Sequence, residues 1–237
     1  LTSNKMMFKF CVIGDVCYEF VRGNENEQTE QEIQFREQEG IIPFQNNEMY
    51  TATKINSPLS SSTYPGFTIC SSQTNSVSIN LENSTQLLTE YWQALALCHD
   101  CTIQKNNETG VEDYIGMSPD SIELVKTARA QGFILTESGV SSTKRIKYGD
   151  ENDKYKDIEL LQLIEFSSDR KRETVIVKDG SLIKLYIKGA DSIIEERLSK
   201  NTRPEILAQC KNYVNKFSAQ GFRTLFIAMK VLSQSEY

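Results

Sequence analysis

Histidine is all but absent from this sequence: His99 stands alone among 237 residues. One histidine excludes a Ser-His or Cys-His triad built on any other. The run Cys98-His99-Asp100-Cys101 also lacks the second pair of ligands that a structural zinc site needs, so His99 reads as a packing residue at a helix end. No Gly-x-x-x-x-Gly-Lys loop is present, which excludes a Walker-type phosphate cradle. No apolar run approaches the ~18 residues of a membrane helix. Positive charge is in deficit, with 26 Lys and Arg against 32 Asp and Glu and a net charge of -6. That balance argues against a general binder of nucleic acid or anionic membrane, so any anion site has to be a local patch. The start, Leu1-Thr2-Ser3-Asn4, has neither an initiator Met nor the layout of a signal peptide. The end at Ser235-Glu236-Tyr237 is equally abrupt, and the chain reads as a cut made inside a longer protein.

The length suits one large domain or two small ones, with roughly 70% of the unfolded surface buried on folding. The six cysteines (11, 17, 70, 98, 101 and 210) are scattered among apolar positions and read as reduced core thiols rather than a disulfide framework. Alternating apolar residues from Met6 to Tyr18 predict one or two strands around Gly14. Residues 24–86 are rich first in Glu and Gln and then in Ser, Thr and Asn. They read as a long surface excursion, partly disordered, with anchors such as Phe44 and Tyr50. Leu87, Leu88, Tyr91, Trp92, Leu95 and Cys98 recur at helical spacing and predict a half-buried helix over 85–98. Residues 104–113 read as a polar loop. Ser118 and Pro119 predict a helix start, with Ser121 at its third position and Gly132 as its stop. Strands follow over 133–136, 142–148 and 157–166.

Asp179-Gly180 between β-branched runs predicts a hairpin turn. Its register sets Lys178 against Ser181, Arg172 against Ile187 and Lys171 against Lys188. Like charges facing each other repel, unless an anion sits between them. Gly189-Ala190 after Lys188 allows a ligand close to the backbone, and Phe166 offers an aromatic face. A ring plus several cations suits a nucleotide. A solvated basic edge strand is the competing reading. Ser192 and Glu195 predict a capping box that outweighs any reading of Asp191, Glu195 and Glu196 as paired catalytic acids. A second helix is expected from Thr202 to near Gly221, then a strand over 222–231 carrying Arg223 inward. The pattern is α+β, an antiparallel sheet flanked by helices.

Five segments in order resemble the nucleotide-binding domain of P-type ATPases: LTSNKMMFKFCVIGDVCY (1–18), LALCH (95–99), SPDSIELV (118–125), the stretch from FSSDRKR to KGADSII (166–194), and GFRTLFIA (221–228). Cation pumps of this superfamily usually carry Lys-Gly-Ala-Pro-Glu where this chain has Lys188-Gly189-Ala190-Asp191-Ser192. That difference and the FSSDRKR block make the chain most similar to the phospholipid flippases of the P4 class. The resemblance covers 1–18 and about 87–237, and nothing usable in 24–86. It implies a strand over 1–18 leading out of the phosphorylation domain, a polar insertion over 19–86, and the nucleotide-binding core over 87–237. It also implies that the phosphorylated Asp lies upstream of Leu1, so no catalytic residue is expected here.

The resemblance further implies that Phe166 stacks on adenine, that Ser168 and Lys171 lie along the nucleotide, and that Lys188 lines the pocket at Gly189 and Ala190. Arg223 would reach the phosphates, with Thr224 beside it. The family's Glu near the adenine amino group is Ser121 here, and Asp120 is the candidate to compensate. The implied cofactors are ATP, and Mg²⁺ held with the phosphorylation domain. The implied partners are the phosphorylation and actuator domains of the same parent chain, with room for an accessory subunit, and no nucleic acid. The fragment is expected to be monomeric, on the cytosolic face of a membrane. The alternatives are an interaction module that has lost its nucleotide site, and the equivalent domain of a cation or polyamine pump.

Overall fold

The computed structural model of the chain describes residues 6–21, 29–44, 67–68, 80–81, 84–105, 110, 112–137, 142–148 and 155–237. Residues 1–5, Tyr50, Cys70 and most of the polar stretch 45–83 lie outside the described residues. The first strands, β1 (Phe10–Ile13) and β2 (Val16–Phe20), flank a turn at Gly14, as the alternation predicts. Helix α1 (Glu30–Glu39) follows, then β3 (Ile42–Phe44), which adds to β2 in parallel. A short pair, β4 (Phe67–Thr68) and β5 (Asn80–Leu81), precedes α2 (Ser84–Leu97). Helix α1 falls in the stretch whose composition predicts a polar surface excursion. Its signals are local: Thr29 and Glu32 close a capping box, and Gly40 ends the helix at φ +64.

The polar loop that the sequence predicts over 104–113 is flanked and partly replaced by an antiparallel pair, β6 (Thr102–Lys105) and β7 (Glu112–Ile115). Helix α3 (Pro119–Ala130) begins as predicted, with the Ser118 hydroxyl accepting from the Ser121 amide. The remaining strands are β8 (Phe133–Thr136), β9 (Thr143–Tyr148), β10 (Tyr155–Ile164), β11 (Arg172–Asp179), β12 (Leu182–Gly189) and β13 (Phe226–Leu232). Helices α4 (Asp191–Glu195) and α5 (Pro204–Ala219) lie between the last two strands. The six strands from β8 to β13 form one antiparallel sheet in the order β13-β12-β11-β10-β9-β8. The architecture is α+β, as expected.

Helix α2 was expected to be half-buried. From Trp92 to its end at Leu97 it is buried on every side, as are Cys98 and His99 after it. The small sheet supplies the second cover: Phe8 and Phe44 each reach the Trp92 ring at 6.0 Å, and Phe20 stacks on Phe44 at 5.2 Å. One continuous core therefore runs from β1–β3 through α2 to Val175, Val177 and Tyr186 of the large sheet.

The hairpin register differs from the sequence prediction by two residues. The loop is Gly180-Ser181, with Gly180 at φ +62, and Asp179 pairs with Leu182. The cause lies in the Asp179 side chain, which is drawn inward by Lys184 and Lys156 rather than spent in the turn. Lys188 consequently faces Glu173, not Lys171. The predicted capping box at Ser192 does not form either, because α4 starts two residues earlier than that box requires, after Ala190. The last strand begins at Phe226 rather than 222. Phe222 turns away from the sheet to meet Phe10 and Phe217 edge-on, so Arg223 sits in the approach to β13 and is exposed, not inward.

Candidate functional site

The register gathers the predicted residues at one end of the large sheet. Gly189 pairs with Arg172 on one side and Phe226 on the other, and Ile164 pairs with Thr174. The loop after β10, the entry to β11, the exit of β12 and the approach to β13 therefore share that end. They carry Phe166 and Ser168, Lys171, Gly189 and Ala190, and Arg223 and Thr224 respectively.

The loop from 165 to 171 is tied by its own side chains. The Arg170 guanidinium donates to the Glu165 carbonyl at 2.9 Å, and the Arg170 amide donates to the Ser167 hydroxyl at 3.3 Å. The Arg172 guanidinium donates to the Arg170 carbonyl at 2.9 Å. This leaves the Phe166 ring 60% exposed and Ser168 on the surface. Lys171 leaves the loop at φ 51, and its carbonyl accepts from the Ala190 amide at 3.1 Å. Gly189 is required there for a reason other than ligand approach. A Cβ on it would lie 2.4 Å from the Lys171 carbonyl oxygen. Desolvation, then the like charges of Arg197 and Arg170, pull the Arg172 guanidinium below its ordinary range. A patch of cations in an acidic chain is thus built at this end.

Lys188 does not stand open to that patch. It is buried, and its ammonium donates to Glu173 Oε2 at 2.6 Å, to Ser121 Oγ at 3.0 Å and to the Cys98 carbonyl. Ser121 is buried beneath it. Asp120, one residue earlier on the first turn of α3, pairs with Arg223 at 3.1 Å. The structure thus brings Asp120 to Arg223 and Ser121 to Lys188, and separates Lys171 from Lys188. Sequence reasoning missed Glu173, because the predicted register placed it elsewhere.

Cys98 and His99 support this end from inside. The Cys98 thiol donates to the Glu173 and Tyr186 carbonyls, and burial pushes its pKa up to about 12. The five described cysteines are free thiols. His99 Nε2 lies 2.8 Å from the Ala96 carbonyl, and Nδ1 accepts from the Cys101 amide at 3.1 Å. That pattern requires a neutral ring with its proton on Nε2. Burial first, then the charges of Lys188 and Lys144, pull its pKa from 6.5 down to about 3. The unfolded chain takes up this proton near pH 6.5 and the folded chain does not. Stability is therefore full above pH 6.5 and falls as pH drops towards 3, by up to about 4 kcal/mol. His99→Gln is expected to flatten that part of the stability-pH profile, measured by urea unfolding between pH 7 and 4.

An aromatic ring, several cations and a capped helix start thus gather at one end of the antiparallel sheet. The family model for the P-type ATPase cytoplasmic domain N matches residues 87–237. A phospholipid-transporting ATPase of Schizosaccharomyces pombe is 38% identical over 154 residues, 65% of this chain and 11% of that protein. The phospholipid-transporting ATPase tat-1 of Caenorhabditis elegans is 36% identical over 159 residues, 66% of this chain and 13% of its own length. A probable phospholipid-transporting ATPase of Arabidopsis thaliana is 36% identical over 161 residues, with the same two shares. The chain belongs to the P-type ATPase cytoplasmic N-domain family. It matches only about an eighth of the length of these relatives, and among its described residues no helix is long and apolar enough to cross a membrane.

Proposed function

We propose that this chain binds ATP at the cationic end of the large sheet and presents the γ-phosphate to an aspartate in a separate phosphorylation domain of its parent. The parent, on the pattern of its relatives' names, is an ATPase that transports phospholipid. The observation that carries the reading is the convergence of Phe166, Lys171, Arg172 and Arg223 at one sheet end, in a chain of net charge -6. The exposed Phe166 ring takes the base by stacking, which needs no matched hydrogen-bond pattern. Arg223 and the 170–172 loop take the phosphates, and Asp120 holds Arg223 in place until a more highly charged anion arrives.

Phosphoryl transfer depends mostly on positioning and charge stabilisation. Dividing those parts between two domains makes their closure the gate of the reaction. Mg²⁺ belongs, in this reading, to the phosphorylation domain, and no residue here is assigned to it. The chain alone is expected to bind ATP without hydrolysing it. Residues 19–86 are proposed as an insertion between the strand over 1–18 and the core over 87–237.

Calorimetric titration of ATP into wild type and Phe166→Ala tests the reading. Phe166 is exposed, so the variant should fold with unchanged stability, while ATP affinity falls by about 1–3 kcal/mol, the worth of one stacked base. No heat with the wild type would remove the nucleotide site and leave the interaction-module reading in its place.

A further inference from the structure

Lys188 is expected to face the nucleotide, yet its charge is spent inside the protein. An ammonium has three N–H donors. Here all three are taken, by Glu173 Oε2, Ser121 Oγ and the Cys98 carbonyl, and the side chain is buried. The three partners lie on β11, on the first turn of α3, and at the residue that follows α2. Lys188 therefore acts as a clamp. What it clamps includes the turn that carries Asp120, and Asp120 carries Arg223.

The clamp needs one carboxylate. Ser121 Oγ lies 3.0 Å from the same ammonium that Glu173 meets at 2.6 Å, and both residues are buried. A carboxylate on α3 at position 121 would reach this ammonium too. Two carboxylates on one buried ammonium would leave an uncompensated negative charge, which is costly. A short neutral side chain at 121 is what an acidic residue at 173 permits.

We propose that Glu173 is a positioning residue of the nucleotide site. Acting through Lys188, it fixes the first turn of α3 and so the place of Asp120 and Arg223. Positions 121 and 173 are coupled: the site takes one acid between them. This rests on the ATP-binding reading above.

The test is a charge exchange on the chain as it stands, with wild type, Glu173→Gln, Ser121→Glu and the double variant. Three readouts are taken: thermal midpoint, amide and Arg Nε resonances of the ligand-free protein, and calorimetric ATP affinity. Glu173→Gln should shift the amide resonances of 118, 120 and 121 and that of Arg223 Nε, and weaken ATP binding about tenfold, as the loss of an outer partner of a binding group does. Ser121→Glu alone should lower the midpoint. The double variant should regain both the midpoint and the affinity. A clamp that only holds the fold would move the midpoints and leave Arg223 Nε and the ATP affinity of folded protein unchanged, which overturns the proposal. So would tighter ATP binding by Glu173→Gln, the result if Lys188 were a phosphate ligand freed of its counter-charge. So would a double variant as poor as the two single effects summed. Failure of the wild type to bind ATP would show before any variant is made. It would remove the functional reading and the nucleotide role of Glu173 together, while the ligand-free resonances would still show whether the clamp exists.

Discussion

Lys184→Met is expected to lower the unfolding free energy by about 3–5 kcal/mol, the usual cost of stripping a buried charge of its partner. Lys184 is 4% exposed at its side chain and lies 2.6 Å from Glu90 Oε1 and 2.7 Å from Asp179 Oδ2. The Tyr186 hydroxyl donates to Glu90 Oε2 at 2.5 Å, and Lys156 covers Asp179 at 2.8 Å. Burial alone would lower the Lys184 pKa. Glu90 and then Asp179 outweigh it and raise it. Burial would likewise raise Asp179, and its bonds to Lys156 and Lys184 hold it below the usual carboxylate value.

Removing the ammonium leaves the buried carboxylate of Glu90, on α2, with the Tyr186 hydroxyl to answer it. Asp179 keeps Lys156, so a second change, Glu90→Leu, should return much of the loss rather than add to it. Urea unfolding of the two single variants and the double gives the coupling directly. A double variant as unstable as the two losses summed would mean that the pair carries no interaction worth the name.

Gly189→Ala is expected to cost about 3 kcal/mol and to abolish ATP binding. An added Cβ would meet the Lys171 carbonyl oxygen at 2.4 Å, Arg172 Cβ at 2.8 Å and Arg172 Cα at 2.9 Å. These are backbone or near-backbone atoms of the neighbouring strand, so no side chain can swing aside, and overpacking of this kind costs about 1–3 kcal/mol or more. The strand entry would have to move, taking with it the Lys171 carbonyl that holds the Ala190 amide. Gly180→Ala is the control. Its Cβ meets nothing within 4 Å, but φ is +62, so it should cost about 1 kcal/mol of backbone strain and leave ATP affinity alone. Equal behaviour of the two variants, in melting and in ATP titration, would contradict the close approach at Gly189.

Much of the fold is legible in the sequence because its signals are local. Ser118-Pro119 marks the start of α3 by capping chemistry, and the alternation around Gly14 gives β1 and β2. What was not legible depends on distant residues. The burial of α2 on both faces needs a small sheet whose third strand comes from a stretch that reads as polar surface. The hairpin register depends on Asp179 choosing Lys184 and Lys156 over its own turn. That one choice replaces a repulsive Lys171–Lys188 pair with the Glu173–Lys188 ion pair, and it changes Lys188 from a surface cation to a buried clamp. The candidate site was therefore legible as a place, with Phe166, Lys171 and Arg223 at one sheet end. The wiring beneath it was not, because Glu173 and Cys98 join it only through tertiary contacts.

The central claim concerns where ATP sits, and an ATP titration followed by amide resonances tests it most directly. The account expects shifts at 118, 120 and 121, 165–173, 188–190 and 222–226, with saturation, and none at the opposite end of the sheet around 179–182. Shifts centred on 179–182, or none anywhere at millimolar ATP, would contradict it.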